Sequence, residues 1–377
     1  MAQAIQMQRK NDNGVYENYY PDTIMSQVEG GIAVKAKVVV TARRGDNITV
    51  SGDTTLTVTI TDSGTATIYL SYGNYTFINN SDNFTMKLNI DTVKTYEILV
   101  EAKLLNDYSW AEISAVSASG DAANLFSVGD CKAITLNGTA TILSLSSYST
   151  YVYILDFNHD KSSSSGVADG ITFGCFKTAL SDGTDIAICT SLYGNYSSSI
   201  NDFRMNFALP DTSSGGWQNS DMRYTVLGST NTQNGNATSA TATSPVSKTL
   251  MSCLPSDLRA IMRPMYIYTD NTGNGSDTAS YVTGTLDYLP LLAEYEIQGT
   301  RTYANSAEQN HQTQYQYYKN GNSKIKYKHS DTSSLAFWWG RSVDSTRSQY
   351  FCGTKNTGMS GSVGARYSYG IAPMFKV

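Results

Sequence analysis

The chain has 377 residues, of which 16% are charged and 40% hydrophobic, and its formal net charge is −5 at pH 7. This length predicts two or three domains, and the low charge predicts a surface of Ser, Thr, Asn, Gly and Tyr, since ordinary globular proteins are about one quarter charged. The negative balance, without any stripe of Lys or Arg, excludes the electrostatic footprint of nucleic-acid binding, so no nucleic acid partner is expected.

Residues 1–31 contain few side chains that could form a core. The polar stretch 7–10 is followed by turn-prone residues at 11–14 and by Tyr19, Tyr20 and Pro21. This composition is typical of an extended arm that docks on another subunit, and equally of a packed or disordered terminal tail. The region has no apolar core of a signal peptide, and no stretch of the chain approaches the roughly 18 apolar residues that span a bilayer. We expect neither export nor membrane insertion.

From residue 32 the sequence changes to alternating β-branched residues with turn signals every eight to twelve positions or so, a spacing typical of a small β-sandwich. The pattern predicts an Ig-like β-sandwich over 32–103, somewhat short for that class. Its predicted strands lie at 33–42, 47–51, 55–61, 66–72, 75–79, 83–90 and 96–102.

Residues 104–125 are a polar stretch with one tryptophan, Trp110, and are predicted to connect the sandwich to a larger region at 126–377. Strand patterns continue in that region, at 133–136, 151–157 and 186–192. Residues 256–262 have helical character, and Ser256 or Asp257 could cap the start of this helix. The expected fold class is therefore mainly β with a C-terminal α+β region.

The histidines and cysteines do not form ligand patterns. No histidine has a partner at metal-ligand spacing, and the two stretches that imitate a calcium loop, 156–167 and 270–281, both lack glutamate at the twelfth position. The cysteines are odd in number, widely spaced and flanked by apolar or small residues, which favours reduced core thiols and assembly in a cytoplasm. The residues concerned are His159, His311, His329, Cys131, Cys175, Cys189, Cys253 and Cys352.

No pattern for catalysis emerges from the rest of the chain. Glu294 and Glu296 would share one face of a strand, where a solvated face is favoured over an acid–base pair. The sequence contains no nucleophile elbow, Walker A loop, HExxH pattern or CxxC pair. We therefore expect no enzymatic activity, no cofactor and no metal.

The 27 tyrosines favour binding, because Tyr combines a large rigid contact area with a polar tip. Between the apolar runs at 337–342 and 369–375, the chain is polar and aromatic with few aliphatic residues. This segment predicts either a binding surface held by core anchors or a set of ordinary hairpin loops. The candidate receptor-binding residues are Asp344, Arg347, Gln349, Tyr350, Thr354, Lys355, Asn356, Arg366 and Tyr367.

Several separated blocks over 127–377 carry a resemblance. They are SVGD at 127–130, FNHD at 157–160, GGWQNSDMR at 215–223, LPSDLRA at 254–260, residues 289–299, FWWGRS at 337–342 and YGIAPMF at 369–375. Together they resemble a domain family of unknown function that is common in gut Firmicutes and their phages. That family is similar to the C-type-lectin-like and formylglycine-generating-enzyme-like fold, in which a WWxRS strand and a terminal GxxPxF strand hold a long variable insertion.

The match is incomplete at two positions. Trp338, Trp339, Arg341 and Ser342 match the first closing strand, and Gly370, Pro373 and Phe375 match the second. Gly340 stands where the family has a large aliphatic residue, and Ala372 where related lectin-like proteins often have Arg. The calcium triplets of ordinary C-type lectins are absent, so the resemblance does not imply calcium-dependent sugar binding.

The resemblance also covers the N-terminal regions. Residues 1–31 are similar to the opening of phage tail or fibre proteins, where a short arm fastens the subunit to another virion protein, and 32–103 to the Ig-like repeats of such proteins. The whole implies a virion surface protein, most simply a trimeric tail-fibre or baseplate protein that binds a host cell-surface glycan or protein. The alternatives are a capsid head fibre or decoration protein and, second, a formylglycine-generating-type enzyme with Cys352 as its lone candidate.

Overall fold

The computed structural model describes residues 7–10, 16–19, 35–53, 55–61, 63–81, 83–101, 104–196, 202–208 and 210–377. The fold is mainly β, with 36% strand and 16% helix, arranged as several small antiparallel sheets and short helices. The mainly β class is thereby confirmed. The chain divides into two compact units, Met1–Lys103 and Leu104–Val377. Within the described ranges, no helix is long and apolar enough to cross a membrane.

Part of the predicted N-terminal arm is described. Strand β1 (Met7–Lys10) pairs antiparallel with β2 (Tyr16–Tyr19), with Met7 opposite Tyr19. The other residues of 1–31 lie outside the described residues. Docking of this segment on another subunit stays a prediction.

The rest of the first unit forms two sheets around one core. The strands are β3 (Ala36–Thr41), β4 (Asn47–Ser51), β5 (Thr55–Thr59), β6 (Thr65–Leu70), β7 (Gly73–Asn79), β8 (Thr85–Ile90) and β9 (Thr95–Leu99). All seven predicted strands are confirmed. The sheet orders are β6–β3–β9, with β3 and β9 parallel, and β5–β4–β7–β8.

The core of this unit follows from the period of two along each strand. Alternate residues of β3 and β4 are buried, among them Val38, Val40, Ile48 and Val50, and they join Phe77 of the second sheet in one cluster. Their neighbours are partly or fully exposed. The alternation that predicts the strands therefore also selects the buried face.

The second unit contains seven short α-helices and fourteen strands among its described residues. The helices are α1 (Trp110–Ser119), α2 (Ala122–Leu125), α3 (Ala240–Thr243), α4 (Leu250–Cys253), α5 (Ser256–Ile261), α6 (Glu294–Gln298) and α7 (Gln316–Lys319). The strands are β10 (Cys131–Leu136), β11 (Thr139–Ala140), β12 (Leu143–Ser144), β13 (Tyr148–Phe157), β14 (Ile171–Lys177), β15 (Ile186–Ala187), β16 (Met265–Asp270), β17 (Val282–Asp287), β18 (Lys326–Lys328), β19 (Asp331–Ala336), β20 (Trp338–Val343), β21 (Tyr350–Thr354), β22 (Ser360–Gly364) and β23 (Met374–Lys376).

Two sheets organise this unit. The larger has the order β10–β13–β14–β23, so that the last strand of the chain closes it, with Phe375 opposite Phe173. The second, β20–β21–β22, is an antiparallel meander that begins at the paired tryptophans. Trp338 forms a parallel bridge with Gly370, which links the start of the meander to the segment before β23.

The prediction of a polar connector over 104–125 is wrong. Ser109 caps α1 and shares a capping box with Glu112, and Gly120 ends the helix at φ 83°, a conformation that glycine adopts without strain. Trp110 is only 4% exposed and packs edge-to-face on Phe173 and Phe375. These residues therefore belong to the core of the second unit.

The predicted helix at 256–262 and the predicted strand at 186–192 each differ in part from the structure. The predicted helix at 256–262 is confirmed as α5, but Pro255 precedes it and no side chain caps its start, so the capping role of Ser256 or Asp257 is wrong. The predicted strand at 186–192 is limited to β15, because the chain turns at Thr190, whose carbonyl accepts from the Tyr193 amide.

Candidate functional site

The structure divides the nine candidate receptor-binding residues by exposure. Arg347, Gln349, Lys355 and Asn356 are exposed, Tyr350 and Tyr367 are half-buried, and Asp344, Thr354 and Arg366 are buried. A buried side chain cannot touch a receptor, so the contact role of the last three is wrong.

The exposed candidates lie in two separate turns. Arg347 and Gln349 belong to the turn between β20 and β21, whereas Lys355 and Asn356 belong to the turn between β21 and β22. A five-residue strand at about 3.4 Å per residue separates the two turns by roughly 14 Å. The exposed candidates therefore belong to hairpin turns, as the second alternative for this segment predicts, and their receptor-binding role stays a prediction.

Asp344 organises the first turn instead of facing a ligand. Its Oδ1 accepts from the amide and hydroxyl of Thr346 at 2.9 and 2.7 Å, and its Oδ2 accepts from the Ser362 hydroxyl at 2.6 Å. Each carboxylate oxygen thus has protein donors, which ties the turn to strand β22.

A different group of aromatic residues meets at the surface of the second unit. Tyr193, Tyr196, Tyr367 and Tyr369, here called the tyrosine cluster, have neighbouring ring centroids 5.2 to 5.8 Å apart: Tyr196 to Tyr367 at 5.2, Tyr193 to Tyr369 at 5.4 and Tyr367 to Tyr369 at 5.8 Å. These separations are typical of favourable aromatic pairs. Of these four tyrosines, only Tyr367 is among the receptor-binding candidates predicted from the sequence.

Backbone hydrogen bonds bring the two halves of the cluster together. The Gly194 amide donates to the Ser368 carbonyl at 2.7 Å, and the Ser368 amide donates to the Asn195 carbonyl at 3.0 Å. Tyr196 and Tyr367 form an antiparallel bridge. The cluster is therefore held by backbone pairing and does not depend on side-chain packing alone.

The tyrosine cluster rests on Phe337 and the buried Trp339. Tyr369 lies 4.6 Å from Phe337 and 5.6 Å from Trp339 between ring centroids. Both indoles are satisfied, because Trp339 Nε1 donates to the Phe203 carbonyl and Trp338 Nε1 to the Lys324 carbonyl, each at 3.0 Å. Trp339 thus serves as scaffold beneath the tyrosines, and Trp338 is buried next to it in the chain.

Tyr196 is the most exposed member of the cluster. Its side chain is 52% exposed, more than any other tyrosine in the described part of the second unit. The buried Arg366 guanidinium lies over the ring, 5.2 Å from its centroid, and Tyr367 meets it at an interplanar angle of 60°. Arg366, proposed from the sequence as a receptor contact, instead supports the ring of Tyr196.

Tyr193 is the anchored member. Its hydroxyl accepts from the Phe337 amide at 2.6 Å, and the Lys328 ammonium lies 4.3 Å from its ring centroid. Burial raises the pKa of Tyr193 to about 12. The ring therefore stays neutral at physiological pH and fixes one side of the cluster.

Glu294 and Glu296 are structural. They lie in helix α6, not on a strand, and both are buried. Glu296 forms a two-pronged ion pair with Arg341, at 2.6 Å to Nη1 and 2.5 Å to Nη2, while Glu294 accepts from the amides of Tyr303 and Ala304. The predicted solvated strand face is wrong. The carboxylates of both residues accept hydrogen bonds from protein groups, so the lone pairs used in these bonds are not available to a substrate.

His159 forms a buried ion pair in one of the calcium-loop-like stretches. Its Nδ1 lies 3.2 Å from Asp160, and its ring stacks on Tyr315 with centroids 3.9 Å apart. Thr172 and Tyr315 donate to the same carboxylate, so protein groups occupy it. The structure places no group of three or more His, Cys, Asp or Glu that could hold a metal among the residues it describes.

We expect this ion pair to make stability depend on pH. Burial alone lowers the pKa of His159, but the Asp160 carboxylate outweighs it and raises the pKa to about 9 from 6.5. Because the pKa of His159 is higher in the folded chain than in the unfolded chain, the protonated side chain stabilises the fold fully below pH 6.5. This stabilisation is lost as the pH rises through about 9. The loss should amount to about 3 kcal/mol of unfolding free energy.

Denaturant unfolding at pH 6 and pH 9 measures this effect. In His159→Gln, most of the fall in unfolding free energy between pH 6 and pH 9 should disappear. His311→Gln, which changes an exposed histidine, should show the same fall as the native chain. Identical pH dependence in the native chain and in His159→Gln would contradict the assignment.

One open cleft of about 460 Å³ lies elsewhere on the second unit, lined by Trp110, Lys132, Thr135, Tyr151 and Asp257 among others. Lys132 donates to the carbonyls of Asn106 and Tyr108, so its ammonium is engaged. Ser109, which also lines the cleft, is engaged as well, since its hydroxyl donates to Glu112 at 2.8 Å at the start of α1.

No protein-family model, curated protein or solved structure matches this chain. The relationship to the Firmicutes and phage domain family is therefore carried by the sequence blocks alone, and it stays a prediction.

Proposed function

We propose that this protein is a virion surface protein of a phage that infects a Firmicutes host, and that it attaches the particle to the host cell as a tail-fibre or baseplate receptor-binding protein. It acts by adhesion without catalysis. The observation that carries the proposal is the tyrosine cluster, whose outermost ring is exposed while the rings behind it are anchored in the core.

The physical argument concerns the entropy of binding. An exposed aromatic ring gains contact area on binding but loses freedom unless it is already held in place. Tyr196 is held by Arg366 and Tyr367, and the cluster behind it rests on Trp339. Such a preorganised aromatic surface is what adhesive proteins use for binding.

The domain arrangement supports the same proposal. The seven strands β3 to β9 of the first unit, in two sheets, fit an Ig-like spacer. In the second unit, the Trp339 amide donates to the Gly370 carbonyl, and the Gly370 amide donates to the Phe337 carbonyl. This pairing of the WWGRS and GIAPMF segments fits a C-type-lectin-like tip with its two closing strands side by side.

The proposal places residues 1–31 on another virion protein, with assembly in the host cytoplasm and exposure on the particle. A homotrimer would present three copies of the tyrosine cluster, and linked weak sites can raise avidity by about 10²-fold or more. The oligomeric state can be measured by light scattering on the purified chain.

Binding to cells tests the proposal. The purified full chain is incubated with a panel of gut Firmicutes isolates, the cells are sedimented, and the retained protein is quantified. We expect retention on at least one isolate. A folded chain, as judged by its circular dichroism, that is retained on none of them would count against an adhesive function.

A capsid head fibre or decoration protein is the alternative with the same modules. The two locations differ in what residues 1–31 contact. Cross-linking from Lys10 in assembled virions should recover a tail or baseplate protein if the first proposal is correct, whereas recovery of a capsid protein would establish the alternative.

The formylglycine-generating-type enzyme requires a reactive cysteine, and Cys352 is poorly suited to that role. It is 1% exposed, and burial together with the carboxylates of Glu294, Glu308 and Asp344 raises the pKa of its thiol well above the ordinary value. The thiolate is the reactive form of cysteine. We therefore propose no catalytic role for it.

Alkylation measures this directly. We expect the native chain to resist iodoacetamide at Cys352 at pH 8, and the unfolded chain to react, since the five cysteines are reduced and buried. Rapid modification of Cys352 in the folded protein, detected by peptide mass spectrometry, would revive the enzyme alternative.

A further inference from the structure

We infer that the outward face of Tyr196 is a saccharide-binding platform, on which one pyranose ring of a host cell-surface glycan stacks. This inference rests on the proposed function and chooses between its two receptor classes, glycan and protein.

The first observation is that the Tyr196 ring is held by neighbouring side chains and is still largely exposed. The Arg366 guanidinium lies over Tyr196 at 5.2 Å from the ring centroid, and Tyr367 packs at an angle beside it. With these contacts in place the residue is still 52% exposed. Part of the aromatic surface is therefore open to solvent while the two contacts hold the ring in position.

The chemistry of such a face suits a sugar. An aromatic ring carries partial negative charge on its face. The axial C–H groups on the apolar side of a pyranose carry partial positive charge, so the two surfaces attract each other while the sugar hydroxyls stay at the rim. A stacked sugar needs one flat ring with polar groups around it.

The surroundings of Tyr196 are polar in this way. Ser191, Gly194 and Asn195 are exposed nearby in the chain. The side chain of Asn195 makes no hydrogen bond to another described residue, so both its donor and its acceptor are available to sugar hydroxyls.

The same surroundings disfavour a protein receptor at this position. Energetically dominant contacts between proteins lie in a desolvated, apolar centre that surrounding residues shield from water. The exposed residues at 191–195 are Ser191, Gly194 and Asn195. They surround the ring with hydrogen-bonding groups and add no exposed aliphatic side chain on this side of the cluster.

Three variants of the full chain test the platform on an isolate that retains the native protein. Tyr196→Ala should weaken retention at least about fivefold, because a stacked ring contributes roughly 1 kcal/mol per site. Tyr196→Phe keeps the ring and should retain most of the binding. Tyr69→Ala removes an equally exposed tyrosine, 59% exposed in the first unit, and should leave retention unchanged.

Treatment of the cells identifies the receptor class. Periodate cleaves vicinal diols of glycans, and proteinase K removes surface proteins. We expect periodate to abolish retention of the native chain and proteinase K to spare it. Loss of retention after proteinase K alone would overturn the glycan inference and leave adhesion intact.

Other outcomes also discriminate. Unchanged retention of Tyr196→Ala, with a circular dichroism spectrum like that of the native chain, would overturn the platform even if the receptor is a glycan. Failure of the native chain to bind any isolate would refute the proposed function, and this inference with it.

Discussion

Replacement of Arg341 by Ala should lower the free energy of unfolding of the second unit by about 3–5 kcal/mol, the usual cost of breaking a buried ion pair by removing one partner. Arg341 is fully buried, and its guanidinium donates to both carboxylate oxygens of Glu296 and to the Leu291 carbonyl. The variant would leave the Glu296 charge buried without its counter-ion, and it is this uncompensated charge that makes the loss large.

Tryptophan fluorescence during urea unfolding measures the change. All four tryptophans, Trp110, Trp217, Trp338 and Trp339, lie in the second unit, so their emission reports on this unit and not on the first. Arg347→Ala is the matched control, since it removes an exposed arginine from the turn that follows β20, and we expect a change below about 0.5 kcal/mol.

A double variant separates charge from packing. Arg341→Met with Glu296→Gln removes both charges of the pair, and we expect it to be less destabilised than Arg341→Ala, because the Glu296 charge is removed together with its counter-ion. Equal stability of Arg341→Ala and Arg347→Ala would refute the structural role assigned to this ion pair.

Replacement of Trp110 by Ala should also destabilise the second unit by about 3–5 kcal/mol, as large-to-small changes at buried aromatic residues do. The Trp110 ring packs on Phe173 of β14 and Phe375 of β23, so its removal opens a cavity beside the strand that closes the larger sheet. A residue in a solvated connector would have no such effect.

The same fluorescence assay applies, with three tryptophans remaining as probes. Leu125→Ala is the control from the same segment, because Leu125 is 53% exposed and its truncation leaves no cavity. If Trp110→Ala and Leu125→Ala had the same small effect, residues 104–125 would not be part of the core.

The strands of the first unit could be predicted because their information is local. Alternation of β-branched residues, interrupted by turn residues such as Gly45 and Asp46, specifies both a strand and its buried face. Helix α1 differs: the polar composition around Trp110 predicts a connector, although the capping box between Ser109 and Glu112 is a local signal for a helix.

The candidate site could be predicted only in part. The apolar runs around Trp338 and Phe375 indicated a scaffold, and both residues are indeed buried. Burial of Asp344 and Arg366 could not be foreseen, since it depends on partners far away in the sequence. The Ser362 hydroxyl donates to Asp344, and Arg366 lies against the ring of Tyr196.

By itself, the sequence determined the mainly β class, the seven strands β3 to β9 and the anchoring role of the paired tryptophans, because each depends on residues close together in the chain. Only the tertiary structure decided which polar and aromatic side chains reach the surface together. Tyr196 and Tyr367 become neighbours through the backbone bonds between Gly194, Asn195 and Ser368, and no local pattern encodes that pairing.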